Sequence, residues 1–197
     1  MINSYELLIE GILQNGYAYI DDFLPTNDIE GLAAILRSRY AEGEFQAAGI
    51  GKTDYHQQDK TIRGDSILWL EPETDIALEQ KYLGQIADFI QYLNRTCYTG
   101  LQGCELHYAL YPIGAFYKRH VDRFVNDESR QYSIILYLNK DWAETDGGHL
   151  LLHLDNGRQE YILPKAGRLV CFPSHLIPHE VLMAKRERLS LTGWLKK

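Results

Sequence analysis

Residues 104–122, CELHYALYPIGAFYKRHVD, decide the fold. They read as a strand over 104–111, a turn at Pro112, Ile113 and Gly114, and a second strand over 115–121. Side chains alternate along a strand, so His120 and Asp122 project to one face. An imidazole and a carboxylate placed this way can share one metal ion. A third ligand must come from elsewhere, and His175 and His179 are the candidates. Two histidines and one carboxylate on one side of an ion leave open positions opposite, the arrangement suited to non-haem Fe(II) oxygen chemistry. The plain competing reading is a surface histidine beside a solvated aspartate.

Strand-like pieces continue toward the C-terminus at 130–138, 148–154, 158–163, 167–172, 178–182 and 188–195. Gly147 with Gly148, Asp155 to Gly157, and Lys165 to Gly167 punctuate them, and Asn156–Gly157 predicts a type I′ hairpin. Before residue 104 the pattern is mainly helical. Ser4 caps a segment carrying Leu7, Leu8, Ile12 and Leu13, which Gly16 stops, and residues 17–23 read as a strand. Thr26 caps a second helix with Ile29, Leu32 and Leu36 on one face. A third begins near Asp75, with Tyr82, Ile86, Phe89, Ile90 and Leu93 at helical spacing. Residues 42–65 are polar and aperiodic, a long connection of the functional or disordered kind, and lead into a strand at 66–70. The expected architecture is α+β: one domain over 1–197, with helical support mainly in 1–100 and a jelly-roll core mainly in 104–197.

The chain has 197 residues, 20 basic and 27 acidic, a formal charge of −7. That balance argues against nucleic-acid backbones and anionic membrane surfaces as partners. With 45% hydrophobic and 24% charged residues, the composition is that of a globular domain. No apolar run approaches the roughly 18 residues of a membrane span, and the opening MINSYELLIEG lacks a basic n-region. Three cysteines, none in a CxxC pair, read as buried thiols of a reducing compartment, so a cytoplasmic protein is expected.

Further polar residues gather on the last strands. Asp122 and His179 are 57 positions apart, and Arg188 follows His179 by nine. Arg188, Ser190 and Thr192 share a face of the final strand, where a guanidinium turned inward would need a carboxylate. The competing reading places Arg188 on the surface with Lys185, Arg186 and Glu187. His149 and His153 form a rival pair on their own strand, while His107 and His56 read as hydrogen-bonded or solvent-facing. Most of the 14 tyrosines read as core or groove residues.

Taken together, Tyr111-Pro112, Tyr117-Lys-Arg-His120-Val-Asp122, Tyr137-Leu-Asn-Lys-Asp-Trp142, Gly147-Gly148, Pro178-His179-Glu-Val181 and the stretch from Arg188 to Trp194 resemble the 2-oxoglutarate/Fe(II)-dependent dioxygenases. The resemblance covers roughly residues 60–195. The segment Ile62-Arg-Gly-Asp65-Ser-Ile-Leu-Trp69-Leu-Glu71 resembles the prolyl hydroxylase domain branch, which includes oxygen-sensing prolyl 4-hydroxylases. From Tyr111 to His120 the chain is one residue shorter than in the animal oxygen sensors.

The resemblance implies a double-stranded β-helix core and a set of roles. His120, Asp122 and His179 hold iron, His179 being preferred to His175 on its offset from Arg188. Arg188 grips the distal carboxylate of 2-oxoglutarate with Tyr137, while Tyr111 and Thr192 complete the cosubstrate pocket. Asp65 and Arg130 pair to fix the covering loop 42–65, and Trp194 lines the prolyl-substrate site. The implied cofactor and cosubstrates are Fe(II), 2-oxoglutarate and O₂, with ascorbate as an auxiliary reductant. The implied product side is succinate, CO₂ and a hydroxylated prolyl residue in a protein, a translation factor being one candidate. No nucleic-acid or membrane partner is expected, and the chain reads as a monomer. The rival readings are the same chemistry on a lysyl residue, a free amino acid or a nucleobase, and a non-catalytic cupin-like metal-binding module.

Overall fold

In the computed structural model, which describes residues 4–49, 61–122 and 128–197, strand alternation sorts the C-terminal half into two faces. The strands are β1 (Ala18–Ile20), β2 (Gln46–Ala47), β3 (Ser66–Trp69), β4 (Gly103–Tyr111), β5 (Tyr117–His120) and β6 (Arg130–Tyr137). They continue as β7 (Leu150–His153), β8 (Gln159–Ile162), β9 (Leu169–Pro173), β10 (His179–Val181) and β11 (Arg188–Lys196). A seven-stranded sheet runs β1-β9-β6-β11-β4-β3-β2 and faces a four-stranded sheet, β5-β10-β7-β8. Every strand pair is antiparallel, and the architecture is a double-stranded β-helix.

One face of the larger sheet is aliphatic. Leu106, Tyr108 and Leu110 of β4, Ile134 and Leu136 of β6, and Leu189, Leu191 and Leu195 of β11 join one core with the helices. Burying such side chains contributes roughly 1.5–3 kcal/mol each. The helices are α1 (Ser4–Asn15), α2 (Thr26–Ala41) and α3 (Ala77–Cys97). Tyr82, Ile86, Phe89, Ile90 and Leu93 of α3 and Ile29, Leu32 and Leu36 of α2 are buried, as their spacing predicts. The alternate residues of β11, Arg188, Ser190, Thr192 and Trp194, face the smaller sheet. Between the sheets lies a second core of Ile135, Tyr137, Leu150, Leu152, Val170 and Phe172.

Several local expectations change. Thr26 is the first residue of α2, and Pro25 rather than a hydroxyl precedes it. The third helix starts two residues later than Asp75, at Ala77. Of the apolar residues of α1 only Leu8 is buried; Leu13 is 80% exposed because it lies on the side of the helix turned from the sheet. The strand β1 stops at Ile20, since Asp22 turns the chain with φ 55°. The β7–β8 connection is a 3-10 turn, Asp155–Gly157, and not a two-residue type I′ turn. No helix among the described residues is long and apolar enough to cross a membrane.

Two features were not foreseen. Gly193 has no room for a side chain: a Cβ there would lie 2.0 Å from the Glu105 carbonyl oxygen, so β11 and β4 approach closely only around glycine. Glu79 of α3 is fully buried and accepts from Tyr108 Oη at 3.0 Å, Thr74 Oγ1 at 2.6 Å and Arg39 Nη1 at 3.3 Å. It ties α2 and α3 to the back of β4. Replacing Glu79 with alanine removes the acceptor from the buried Tyr108 hydroxyl and from Arg39. The expected loss is roughly 3 kcal/mol of unfolding free energy in a urea titration, with Glu79→Gln retaining about half of it.

Candidate functional site

Three strand ends converge where the sheets meet. His120 closes β5, His179 opens β10 opposite it in register, and Asp122 follows two residues after His120. His120 Nε2 lies 3.4 Å from Asp122 Oδ1, and His179 Nε2 lies 3.6 Å from Asp122 Oδ2. The three donor atoms all fall within 4.8 Å of one another. Neighbouring ligands about 2.1 Å from one ion stand about 3 Å apart, so the cluster is close to a coordination face.

Both imidazoles are aimed from behind by their own strands. His120 Nδ1 donates to the Lys118 carbonyl at 2.7 Å, and His179 Nδ1 donates to the Ile177 carbonyl at 3.1 Å. A carbonyl only accepts, so each Nδ1 carries the proton and each Nε2 keeps its lone pair for a metal. Burial pushes the His179 imidazole down to about 4, despite the opposing pull of Asp122, so it is neutral at physiological pH. Burial acts to raise the Asp122 carboxyl, but His179 and His120 outweigh it and hold it far below the usual range. Ser133 Oγ donates to Asp122 Oδ2 at 2.6 Å and lies 3.0 Å from Ser174 Oγ. One hydroxyl therefore orients the carboxylate, with a second behind it.

A stack supports His120 from outside. Its ring lies on Tyr117, centroids 3.6 Å apart and 16° from parallel, and the Arg63 guanidinium covers Tyr117 at 4.2 Å. Arg63 forks onto Asp65, Nε to Oδ1 at 2.8 Å and Nη2 to Oδ2 at 2.6 Å. The expected pair of Asp65 with Arg130 is therefore not formed. Asp65 is held by its neighbour two residues back. Arg130 Nε instead donates to Glu105 at 2.8 Å, and its guanidinium lies 3.4 Å over the Trp194 ring. Residues 50–60 of the expected covering loop lie outside the described residues. Its end pairs with β5: Gly64 N–H donates to Phe116 O and Lys118 N–H to Ile62 O.

Arg188 opens β11 on the face turned toward the smaller sheet. It is 2% exposed, with Nε donating to the Gly148 carbonyl at 2.8 Å and its guanidinium flanked by Tyr111 and Tyr137 at 5.0 and 4.9 Å. Among the described residues no carboxylate pairs with it. The Tyr137 hydroxyl is also buried and has no hydrogen-bond partner. A buried cation flanked by unused donors calls for an anionic group from outside the chain. Gly147 and Gly148 make the approach: a Cβ on Gly148 would meet the Arg188 side chain at 3.2 Å, and one on Gly147 the Met183 carbonyl at 2.5 Å. Ser190 and Thr192, with hydroxyls 3.0 Å apart, lie between Arg188 and Trp194 along β11.

The other histidines lie apart from this cluster. His175 is exposed in a turn, His149 bonds Glu144 and His153 bonds Glu180. His56 lies outside the described residues. His107, expected to be hydrogen-bonded or solvent-facing, is buried with its Nδ1 unpartnered. Sequence reading missed the parts of Tyr117, Arg63 and Ser133. Arg63 and Asp65 stand two apart on an extended segment, the same spacing that placed His120 beside Asp122, so that signal was available.

Residues 106–196 match the family model of the 2OG-Fe(II) oxygenase superfamily. The structure superposes on a prolyl-4-hydroxylase of Pseudomonas putida with a TM-score of 0.88 and 41% identity, covering 98% of each chain. It superposes on a Trichoplax adhaerens prolyl hydroxylase, in complex with a hypoxia inducible factor oxygen degradation domain peptide fragment, with a TM-score of 0.87 and 27% identity over 98% of this chain and 88% of that one. Human Egl nine homolog 1 is 29% identical over 97% of this chain and 46% of its own length. The chain spans about half the length of the curated relatives it matches first.

The hydroxyl on Asp122 gives a direct test. Ser133→Ala is expected to weaken binding of a divalent metal ion by about 10–100-fold. Ser133→Thr, which keeps the hydroxyl, should stay near the parent value in the same metal titration.

Proposed function

Because the chain belongs to the 2OG-Fe(II) oxygenase superfamily and to its prolyl hydroxylase branch, we propose that it hydroxylates prolyl residues in a protein, using Fe(II), 2-oxoglutarate and O₂. One observation carries the reading most: Arg188, buried with no acid beside it among the described residues, lies between the same two sheets as a His-Asp-His cluster whose Nε2 atoms are both unprotonated. The donor set fits ferrous iron, with three ligands from the protein and no fourth His, Cys, Asp or Glu in the cluster among the described residues. Bound there, the iron supplies dioxygen activation coupled to conversion of 2-oxoglutarate to succinate and CO₂.

The chain's own residues do the positioning. His120, Asp122 and His179 hold the metal. Arg188 takes the distal carboxylate of the cosubstrate through its free guanidinium nitrogens, and the Tyr137 hydroxyl donates to the same group. Tyr111 walls the opposite side of that guanidinium, and Thr192 extends the polar floor toward the substrate end. The apolar lining from Ile135, Val170 and Phe172 keeps water from the reacting centre. Trp194, with Arg130 stacked on it, forms the wall for the prolyl ring, and the Arg63–Asp65 arm borders the entrance.

A protein substrate is supported by the peptide-bound Trichoplax relative. Proteins of the translation machinery are the first targets to assay, as the family resemblance suggests. The three cysteines are all unpaired, though only Cys171 is buried as expected, Cys104 being partly buried and Cys97 exposed; free thiols support a reducing, cytoplasmic setting for what we read as a one-domain monomer over 1–197. Ascorbate would serve as an auxiliary reductant.

Incubation of the protein with Fe(II), 2-oxoglutarate, air and a library of acetylated, amidated proline-centred peptides should yield succinate and a +16 mass shift on proline. A shift on lysine, on free amino acids or on nucleobases instead would reassign the substrate. Zinc retention with no succinate would favour the cupin-like module. Arg188→Ala should raise the 2-oxoglutarate concentration for half-maximal turnover by about 30-fold or more while metal binding stays within about threefold, because it removes a buried charge-assisted bond and leaves the metal ligands intact.

A further inference from the structure

One imidazole on the cavity face of the larger sheet has no part in the site as described. His107 of β4 sits in register between Trp69 of β3 and Thr192 of β11. It is 4% exposed, edge-on to Trp69 with centroids 4.9 Å apart, and 5.6 Å from Trp194. It pairs with Thr192, whereas Arg188 pairs with Tyr111, so it stands toward the Trp194 end of β11, where Arg130 covers the indole, and away from the Arg188 end. Its Nδ1 and the Trp194 Nε1 are both buried, and neither has a hydrogen-bond partner among the described residues. Buried polar atoms are normally satisfied, so two orphans side by side on a cavity wall point to a ligand group.

The donor and acceptor inventory decides which group fits. The indole nitrogen only donates, as does the guanidinium lying over it. Burial, and then Arg63, push the His107 imidazole down to about 4, so it is neutral and offers one N–H. With that proton on Nδ1, the imidazole and the indole present two donors to the same space. A wall built of donors suits a group that only accepts. A prolyl residue inside a peptide is such a group, having a carbonyl and no N–H. Free proline and free lysine each add an ammonium, which only donates and finds no acceptor in the indole or in a donor imidazole.

We propose that His107 is a specificity-determining residue whose Nδ1–H, beside the Trp194 indole N–H, hydrogen-bonds a backbone carbonyl of the bound prolyl segment and so selects peptidyl proline over free or cationic amino acids. The proposal rests on the prolyl hydroxylase reading above.

The test uses the peptide that the parent enzyme hydroxylates best in the proline-centred library. His107→Leu fills the same space without a donor, and His107→Asn keeps an N–H near the Nδ1 position. The expected result is a peptide KM about tenfold higher for His107→Leu with a smaller change in kcat, and a value within about threefold of the parent for His107→Asn. Calorimetric affinity of the Mn(II)- and 2-oxoglutarate-loaded proteins for the peptide should fall in the same order. An unchanged KM and affinity in His107→Leu overturns the proposal. Equal losses in both variants overturn it too, since packing alone would then explain them. If the parent hydroxylates no library peptide, the prolyl reading itself has failed and the proposal falls with it, an outcome distinguished by needing no variant.

Discussion

A guanidinium buried without an acid is the constraint around which the cavity is arranged. Charge in a low-dielectric interior is costly unless it is solvated by the protein or a ligand. Arg188 receives only partial compensation from the chain: one carbonyl, from Gly148, and the faces of Tyr111 and Tyr137. Two consecutive glycines serve that contact: both have positive φ, a side chain at 147 would collide with the Met183 carbonyl, and one at 148 would crowd Ala184, Trp142 and Arg188. The central placement of β11, between β4 and β6, holds the guanidinium in a rigid frame. Such a residue lowers the stability of the empty fold and raises its affinity for a dianion, a balance typical of preorganised sites.

The metal end follows a different economy. Each histidine is aimed by a carbonyl two residues earlier in its own chain, so local backbone geometry sets both ring orientation and tautomer. Asp122 has no such local device and borrows Ser133 from β6. The centre therefore forms only when the two sheets are packed together, since β5 and β10 belong to one and β6 to the other. Metal binding and sheet closure should accordingly be coupled.

Much of this was readable from local signals. Turn residues and alternation placed every strand of the C-terminal half, because glycine and proline act on the backbone where they stand. The pairing of His120 with Asp122 followed from period two alone. The seating of Arg188 inside rather than among the surface charges of 185–187 needed the family pattern, since alternation leaves the choice of face open. What escaped depended on partners distant in sequence. Glu79 reads as one more acid on a helix until Tyr108 and Arg39 arrive beside it. The requirement for glycine at 193 arises only from the nearness of the Glu105 backbone. Arg130 meets Glu105 across β11, with the Trp194 ring beneath, a contact that no single segment encodes. The Asp65 partner was misassigned although Arg63 stood two residues away.

The backbone bonds from Gly64 and Lys118 that join residues 62–64 to β5 have a consequence for self-association. β5 is an outermost strand of its sheet, and an uncovered outermost strand offers its amides and carbonyls to any other extended chain. Here the protein's own arm occupies that margin from Phe116 to Lys118, so this part of the strand is shielded from intermolecular stitching. The same arm gains its order from the contact, which makes the gateway and the ligand strand melt or hold as one cooperative unit.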